Sequence, residues 1–197
     1  MSKVTMLGIC VLMIASLAVA QTADSLWYEG ETHMRNVKQL TFGGENAEAY
    51  FSADGKWLVY QATRDSFDCD QIFTYNLESG ESKLVSTGTG ATTCSFFVPG
   101  QDELVFCSTH EHGAECPLKP DRSLGYVWGL FEFDVYKCKT DVSGLVRLTN
   151  EKGYDAEAAV SPDGKEIVFT SGRDGDLELY KMNIDGSNVT RLTHTVG

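Results

Sequence analysis

The chain has 197 residues, with 28 acidic and 16 basic side chains and a formal net charge of −12. Such a surface repels phosphate backbones and anionic lipids, which argues against binding to nucleic acid or to a membrane surface. No segment after residue 20 is apolar enough to cross a bilayer, so no membrane span is predicted.

Residues 1–20 have the pattern of a secretory signal peptide. Lys3 supplies the positive charge, residues 6–17 form the apolar run, and residues 18–20 (Ala-Val-Ala) form a small-x-small cleavage site. We therefore predict a protein that is secreted across the inner membrane into the periplasm or the extracellular space. Residues 21–35 are predicted to form an N-terminal linker.

An internal repeat determines the predicted architecture. Residues 46–56 and 155–165 are identical at seven of eleven positions, which is typical of folds that stack one module several times. Each of three copies contains four short predicted strands, and turns such as Ser-Pro-Asp-Gly at 161–164 suit tight reversals of the chain. The second copy has the length of one repeat plus roughly twenty inserted residues.

Four short antiparallel strands per copy predict an all-β fold, a β-propeller of four-stranded blades. The blades are predicted at about residues 44–87, 90–150 and 153–195, and the second blade contains an insertion at 109–128. Residues 36–42 are similar to the fourth strand of the third copy. We predict that they form the outer strand of a closing blade, as in propellers whose last blade takes a strand from the start of the chain.

Three blades and one outer strand do not close a ring, because propellers have about four to eight blades. The sequence therefore predicts an incomplete ring, either as the N-terminal part of a longer protein or as one half of a ring assembled from two chains. Open blade edges also predict self-association.

The sequences SPDGKEIVFTS (161–171), LYKMNIDG (179–186) and RLT (191–193) resemble the WD-like repeats of TolB-type propellers. The resemblance covers all three copies and implies an exported bacterial protein. A rigid repeat-built ring with its loops gathered on one face, and no nucleophile–base arrangement, predicts a non-catalytic scaffold that binds a protein or peptide in the periplasm or cell envelope. The alternative is the propeller portion of a prolyl-oligopeptidase-like hydrolase. No Gly-x-Ser-x-Gly nucleophile elbow occurs in the chain, so we predict no catalytic residue, no enzyme activity and no cofactor.

Three side chains are predicted to meet near the mouth of the propeller channel. Glu48, Cys94 and Glu157 occupy equivalent positions on the first strands of the three copies, and first strands line the channel. Carboxylates at the mouth would attract a cation or a basic segment of a partner. The alternative is that the two glutamates bond to backbone N–H groups of the next blade.

Further candidate binding residues lie on the rim formed by the loops between strands two and three. Asp68, Asp70 and His110 are placed there, and the insertion adds Tyr126 and Trp128. Exposed aromatic side chains predict a recognition surface, although they would equally pack the insertion onto its blade. The His-Glu-His stretch that begins at His110 has ligand types that metals prefer but matches no zinc spacing, so no metal site is predicted.

Export makes disulfides available, and the rim carries three cysteines. A disulfide among Cys69, Cys94 and Cys116 would attach the long insertion to the rim. Cys107 and Cys138 fall on neighbouring strands but on opposite faces, so we predict two buried thiols there and no bridge.

Overall fold

The computed structural model describes residues 28–123 and 125–195. The chain divides into two compact units, residues 1–40 and residues 41–197. In the first unit, residues 28–40 contain turns and no helix or strand, and the Glu31 carboxylate accepts hydrogen bonds from the backbone N–H groups of His33 and Met34. The predicted signal peptide and residues 21–27 of the predicted linker lie outside the described residues.

The second unit contains three four-stranded antiparallel sheets, each with its strands in sequence order. Blade 1 consists of β1 (Glu45–Phe51), β2 (Trp57–Thr63), β3 (Gln71–Asn76) and β4 (Ser82–Leu84). Blade 2 consists of β5 (Thr92–Phe97), β6 (Glu103–Ser108), β7 (Asp134–Lys139) and β8 (Val146–Arg147). Blade 3 consists of β9 (Asp155–Val160), β10 (Glu166–Ser171), β11 (Glu178–Asn183) and β12 (Thr190–Arg191). The predicted all-β fold of repeated four-stranded blades is confirmed.

The hydrophobic core lies between successive blades. Alternate residues of a second strand point to opposite faces, so Phe106 packs toward blade 1 whereas Val105 and Cys107 pack toward blade 3. Cys138 packs toward blade 1 and is buried, so both thiols are small core residues on opposite faces, as predicted. The first strands stand next to one another, since β5 contacts both β1 and β9.

The outer face of blade 3 shows what a blade looks like without a neighbour in the described structure. Val59, Val105 and Val168 occupy the same register position in the three blades. Val59 and Val105 are fully buried, whereas Val168 is 39% exposed. The face that the next blade covers in blades 1 and 2 is therefore exposed on blade 3.

A polar anchor recurs where the third strand begins. Asp134 and Glu178 are buried there, and each forms an ion pair with the arginine on the fourth strand of its blade. The distances are 2.6 Å for Asp134–Arg147 and 2.8 Å for Glu178–Arg191. Blade 1 has Gln71 at this position, and the arginine is correspondingly a leucine. A buried carboxylate needs its cation, so both members of the pair change to neutral residues together.

Residues 36–42 do not form a strand in the structure. A strand is recognised by its hydrogen bonds to a neighbouring strand, and no strand of the described residues pairs with this segment. The outer strand of a closing blade therefore stays a prediction.

Candidate binding surface at the channel mouth

A β-bulge interrupts the first strand of every blade. In each case two residues of the first strand lie opposite one residue of the second, and the ladder resumes beyond them. The first bulge residues are Glu48, Cys94 and Glu157, with φ angles of 51°, 43° and 59°. Residues with a Cβ rarely adopt this left-handed conformation, and such backbone is concentrated at functional sites. The three residues that the repeat alignment selected therefore share an unusual backbone geometry.

The three residues lie on neighbouring strands, because β5, which carries Cys94, contacts both β1 and β9. Burial, followed by the charges of Glu157 and Glu48, raises the pKa of the Cys94 thiol to about 11. The thiol also interacts with the backbone of Glu157 on the next blade. The strand of Cys94 thus lies between the two strands that carry these glutamates, one from the blade on either side.

Tyrosine hydroxyl groups orient the two carboxylates. The Tyr50 hydroxyl donates to Glu48 Oε2 at 2.7 Å, and the Tyr154 hydroxyl donates to Glu157 Oε1 at 3.0 Å. The first of these bonds is the largest cause that raises the pKa of Tyr50 to about 12. The carboxylates are thus held by tyrosines of their own blades, whereas the alternative predicted bonds to backbone N–H groups of the next blade.

One predicted aromatic residue of the insertion reaches this surface. The Trp128 side chain lies next to the Tyr154 hydroxyl, which donates to Glu157. Trp128 nevertheless stays 56% exposed, and Tyr126 beside it is 69% exposed, with the guanidinium of Arg122 4.8 Å above its ring. We call the surface formed by Glu48, Cys94, Glu157, Tyr154 and Trp128 the channel-mouth surface.

Of the remaining rim candidates, Asp70 and His110 make contacts within their own blades, and Asp68 is exposed. Asp70 accepts hydrogen bonds from Gln61 and Thr63 at 2.9 and 2.6 Å, which ties the second and third strands of blade 1 together. His110 packs its ring 4.4 Å from Tyr136, and burial lowers its pKa. Asp68 is exposed on the rim.

The insertion is attached to the rim by a disulfide and by a charged cluster. Cys69 and Cys116 are bonded, with 5.8 Å between their Cα atoms, whereas Cys94 is a free thiol. Close to the bridge, His112 Nε2 lies 2.5 Å from the buried Asp134 carboxylate, which also pairs with Arg147. Sequence reasoning missed this cluster, although the repeated Arg-Leu-Thr of the fourth strands was a signal for it.

The sequence also did not indicate the two tyrosines that bond to Glu48 and Glu157. Tyr50 and Tyr154 are not at equivalent positions of the repeat, because one follows its glutamate by two residues and the other precedes its glutamate by three. A search by repeat position therefore selects the glutamates and not their partners.

In the described part of the chain no helix is long and apolar enough to cross a bilayer. Residues 28–123 and 125–195 also contain no group of three His, Cys, Asp or Glu side chains placed to hold a metal ion. The fold is thus that of a partial β-propeller, and two glutamates and exposed aromatic side chains mark its candidate binding surface.

No protein-family model matches the chain. An uncharacterized protein of Agrobacterium fabrum is 38% identical over 61 residues, which are 31% of this chain and 21% of that protein. The Tol-Pal system protein TolB of Bordetella pertussis is 39% identical over 46 residues, which are 23% of this chain and 10% of TolB.

Solved structures agree with these sequence matches. TolB from Acinetobacter baumannii superimposes with a TM-score of 0.61 at 21% identity, over 79% of this chain and 34% of TolB. A putative TolB from Agrobacterium tumefaciens gives 0.59 at 21% identity, over 77% of this chain and 50% of that protein. A prolyl endopeptidase gives 0.51 at 15% identity, over 78% and 22%, and shares the fold alone.

The repeats are therefore similar to those of TolB, as their sequence resemblance implied. The chain spans half or less of the length of each of these proteins, and the similarity of the solved structures is a similarity of fold.

Proposed function

We propose that this protein is an exported, non-catalytic TolB-like propeller that binds a basic segment of a protein or peptide through the channel-mouth surface. The observation that carries the proposal is that Glu48 and Glu157 occupy equivalent left-handed bulge positions on the two first strands that flank the strand of Cys94. Repetition of the bulge brings equivalent carboxylates from different blades to one place, which concentrates negative potential there.

The chemistry of this surface suits a cationic partner. Each carboxylate accepts one hydrogen bond from a tyrosine, and a carboxylate has room for further donors such as an arginine or lysine. The net charge of −12 adds a long-range attraction for basic segments. Trp128 at the edge is the kind of aromatic side chain on which binding energy is concentrated.

An envelope location is part of the proposal. The signal-peptide pattern of residues 1–20 and the rim disulfide both suit an oxidising compartment outside the cytoplasm. The TolB relatives named above belong to the Tol-Pal system. We extend to this chain a role in the cell envelope, and we do not extend to it a place in the Tol-Pal system. Self-association through the open face of blade 3 is a further part of the proposal, and the mass in solution tests it. The hydrolase alternative stays a prediction with no observation in its favour.

Photo-crosslinking tests the proposal. A photoreactive residue replaces exposed Ala49, next to Glu48, and a control protein carries it at exposed Glu78 on the opposite rim. Each protein is irradiated in a bacterial envelope extract. We expect an adduct from position 49 and none from position 78. The double variant Glu48→Gln/Glu157→Gln should abolish the adduct from position 49 because it removes both charges, and high salt should abolish it because salt screens them.

The double Gln variant keeps an acceptor for each tyrosine, so it removes charge with little change in shape. An adduct that persists in this variant, or that forms equally from both positions, contradicts the proposed surface. Absence of any adduct from position 49 contradicts it as well.

A further inference from the structure

A second concave site lies between blades 1 and 2, on the rim opposite to the channel-mouth surface. The cleft has a volume of about 520 Å³, within the range of about 300–1,000 Å³ that is usual for small-molecule sites. The turn after β1 and the turn after β5 form its walls, and both turns lie at the far end of their strands from the rim disulfide. The cleft is therefore independent of the site proposed above.

Blade 1 differs from the other two blades at two residues that line this cleft. Trp57, the first residue of β2, and Thr74, in β3, line the cleft. At the same two register positions the other blades carry an ion pair, Glu103–Lys137 at 2.9 Å and Glu166–Lys181 at 2.7 Å. Blade 1 thus has an indole and a hydroxyl where its sister blades have two charged chains that neutralise each other.

Blade 1 therefore presents aromatic side chains to the cleft, and we call Trp57 and Phe97 the aromatic wall. Trp57 is 36% exposed, and Phe97 lies across from it in the lining. An exposed tryptophan in a concave site offers a large, rigid apolar face with little loss of side-chain freedom on binding. The wall therefore suits a flat, apolar surface of a ligand.

Polar groups of both kinds surround the aromatic wall. Asp54 and Asp102 offer acceptors, and Lys83 offers a donor. The Asp54 carboxylate is oriented by the Ser52 hydroxyl at 2.6 Å, and Asp102 accepts from the Thr140 hydroxyl. These bonds pre-orient the acceptors, which lowers the cost of binding.

The mixed charges restrict the class of ligand. A multiply charged anion would meet Asp54 and Asp102, and an organic cation would meet Lys83 in the same cleft. A neutral molecule whose hydroxyl groups both donate and accept satisfies all three charged residues. A pyranose sugar has hydroxyl groups around its edge and C–H groups on its face, so it matches the polar groups and the indole at once. We propose that the cleft between blades 1 and 2 binds a neutral glycan.

The test uses the full secreted chain and three neutral probes, cellobiose, maltose and N,N′-diacetylchitobiose. Digalacturonate and arginine methyl ester serve as charged comparisons. Binding is followed by isothermal titration and by the indole N–H resonances, which are few because the chain has only three tryptophans. The conservative variant Trp57→Phe assigns the Trp57 resonance, and binding is then followed on the unchanged protein.

We expect at least one neutral disaccharide to bind and to shift the Trp57 resonance. Trp57→Ala should weaken binding by about tenfold or more, since loss of an aromatic contact of about 1.4 kcal/mol corresponds to that factor. Leu118→Ala, which removes an exposed apolar side chain from the insertion, should leave the affinity unchanged.

The sister blades provide a second variant. Trp57→Glu/Thr74→Lys installs the ion pair that blades 2 and 3 already contain, so it should fold and should abolish sugar binding. The proposal is overturned if no neutral probe binds, if only a charged probe binds, or if the bound probe shifts other indole signals and leaves that of Trp57 in place. Equal binding by the wild type and the ion-pair variant overturns it too.

Discussion

Removal of the rim disulfide is expected to destabilise the blades by an amount that follows from the length of the loop it closes. The bridge between Cys69 and Cys116 spans 47 residues. The loss of chain entropy in the unfolded state for a loop of that length is worth about 4 kcal/mol at 25 °C. For a chain of this size about 2–4 °C accompany each kcal/mol, so Cys69→Ser/Cys116→Ser should lower the melting temperature by roughly 8–16 °C.

Other contacts should keep the insertion in place in this variant. The Gly90 N–H donates to the Ala114 carbonyl at 2.8 Å, and Glu111 pairs with Arg147 at 2.9 Å. The expected loss therefore arises in the unfolded chain.

Thermal unfolding followed by circular dichroism, with and without dithiothreitol, measures the effect. Reductant should lower the melting temperature of the wild type to that of the double variant and leave the double variant unchanged. Cys94→Ser is the matched control and should keep the response to reductant. Equal melting temperatures for wild type and double variant, or peptide mapping that finds Cys94 in a bridge, would refute the reasoning.

Three further predictions concern single residues. Gly90→Ala should lower the free energy of unfolding in chemical denaturation more than Gly100→Ala does. Both glycines have a positive φ, which costs an alanine about 1–2 kcal/mol, but only at Gly90 would the added Cβ lie 2.8 Å from a backbone nitrogen. Equal losses would contradict this. A hydrogen bond from Thr193 lowers the pKa of Glu178 below its ordinary 4.5, so its stabilisation is present above that pH and lost as the pH falls through the folded pKa; Glu178→Gln should flatten the melting-temperature profile between pH 7 and 3, and an unchanged profile would count against the contact. Burial raises the pKa of Cys94 to about 11, so iodoacetamide should alkylate it at pH 8 far more slowly than it alkylates glutathione; a comparable rate would show an accessible thiolate.

Local sequence was enough to predict the module and its faces. The repeated turn and the apolar second strand define a strand pair wherever they occur, and alternation along a strand assigns each residue to a face. Cys107 and Cys138 were therefore placed correctly on opposite faces, and equivalent positions in the repeat led to Glu48 and Glu157. These inferences needed only periods and offsets within one blade.

Contacts between blades were decided by the tertiary structure. The repeat does not say which two of three rim cysteines meet, because the path of the insertion alone brings Cys116 to Cys69. It does not place Trp128 against Tyr154 either, since these residues are joined through a long loop that has no counterpart in the other copies. The cleft beside Trp57 exists only where two blades stack. A periodic sequence thus specifies the repeating unit, whereas irregular loops and interfaces depend on distances between residues far apart in the chain, which become defined only when the blades pack.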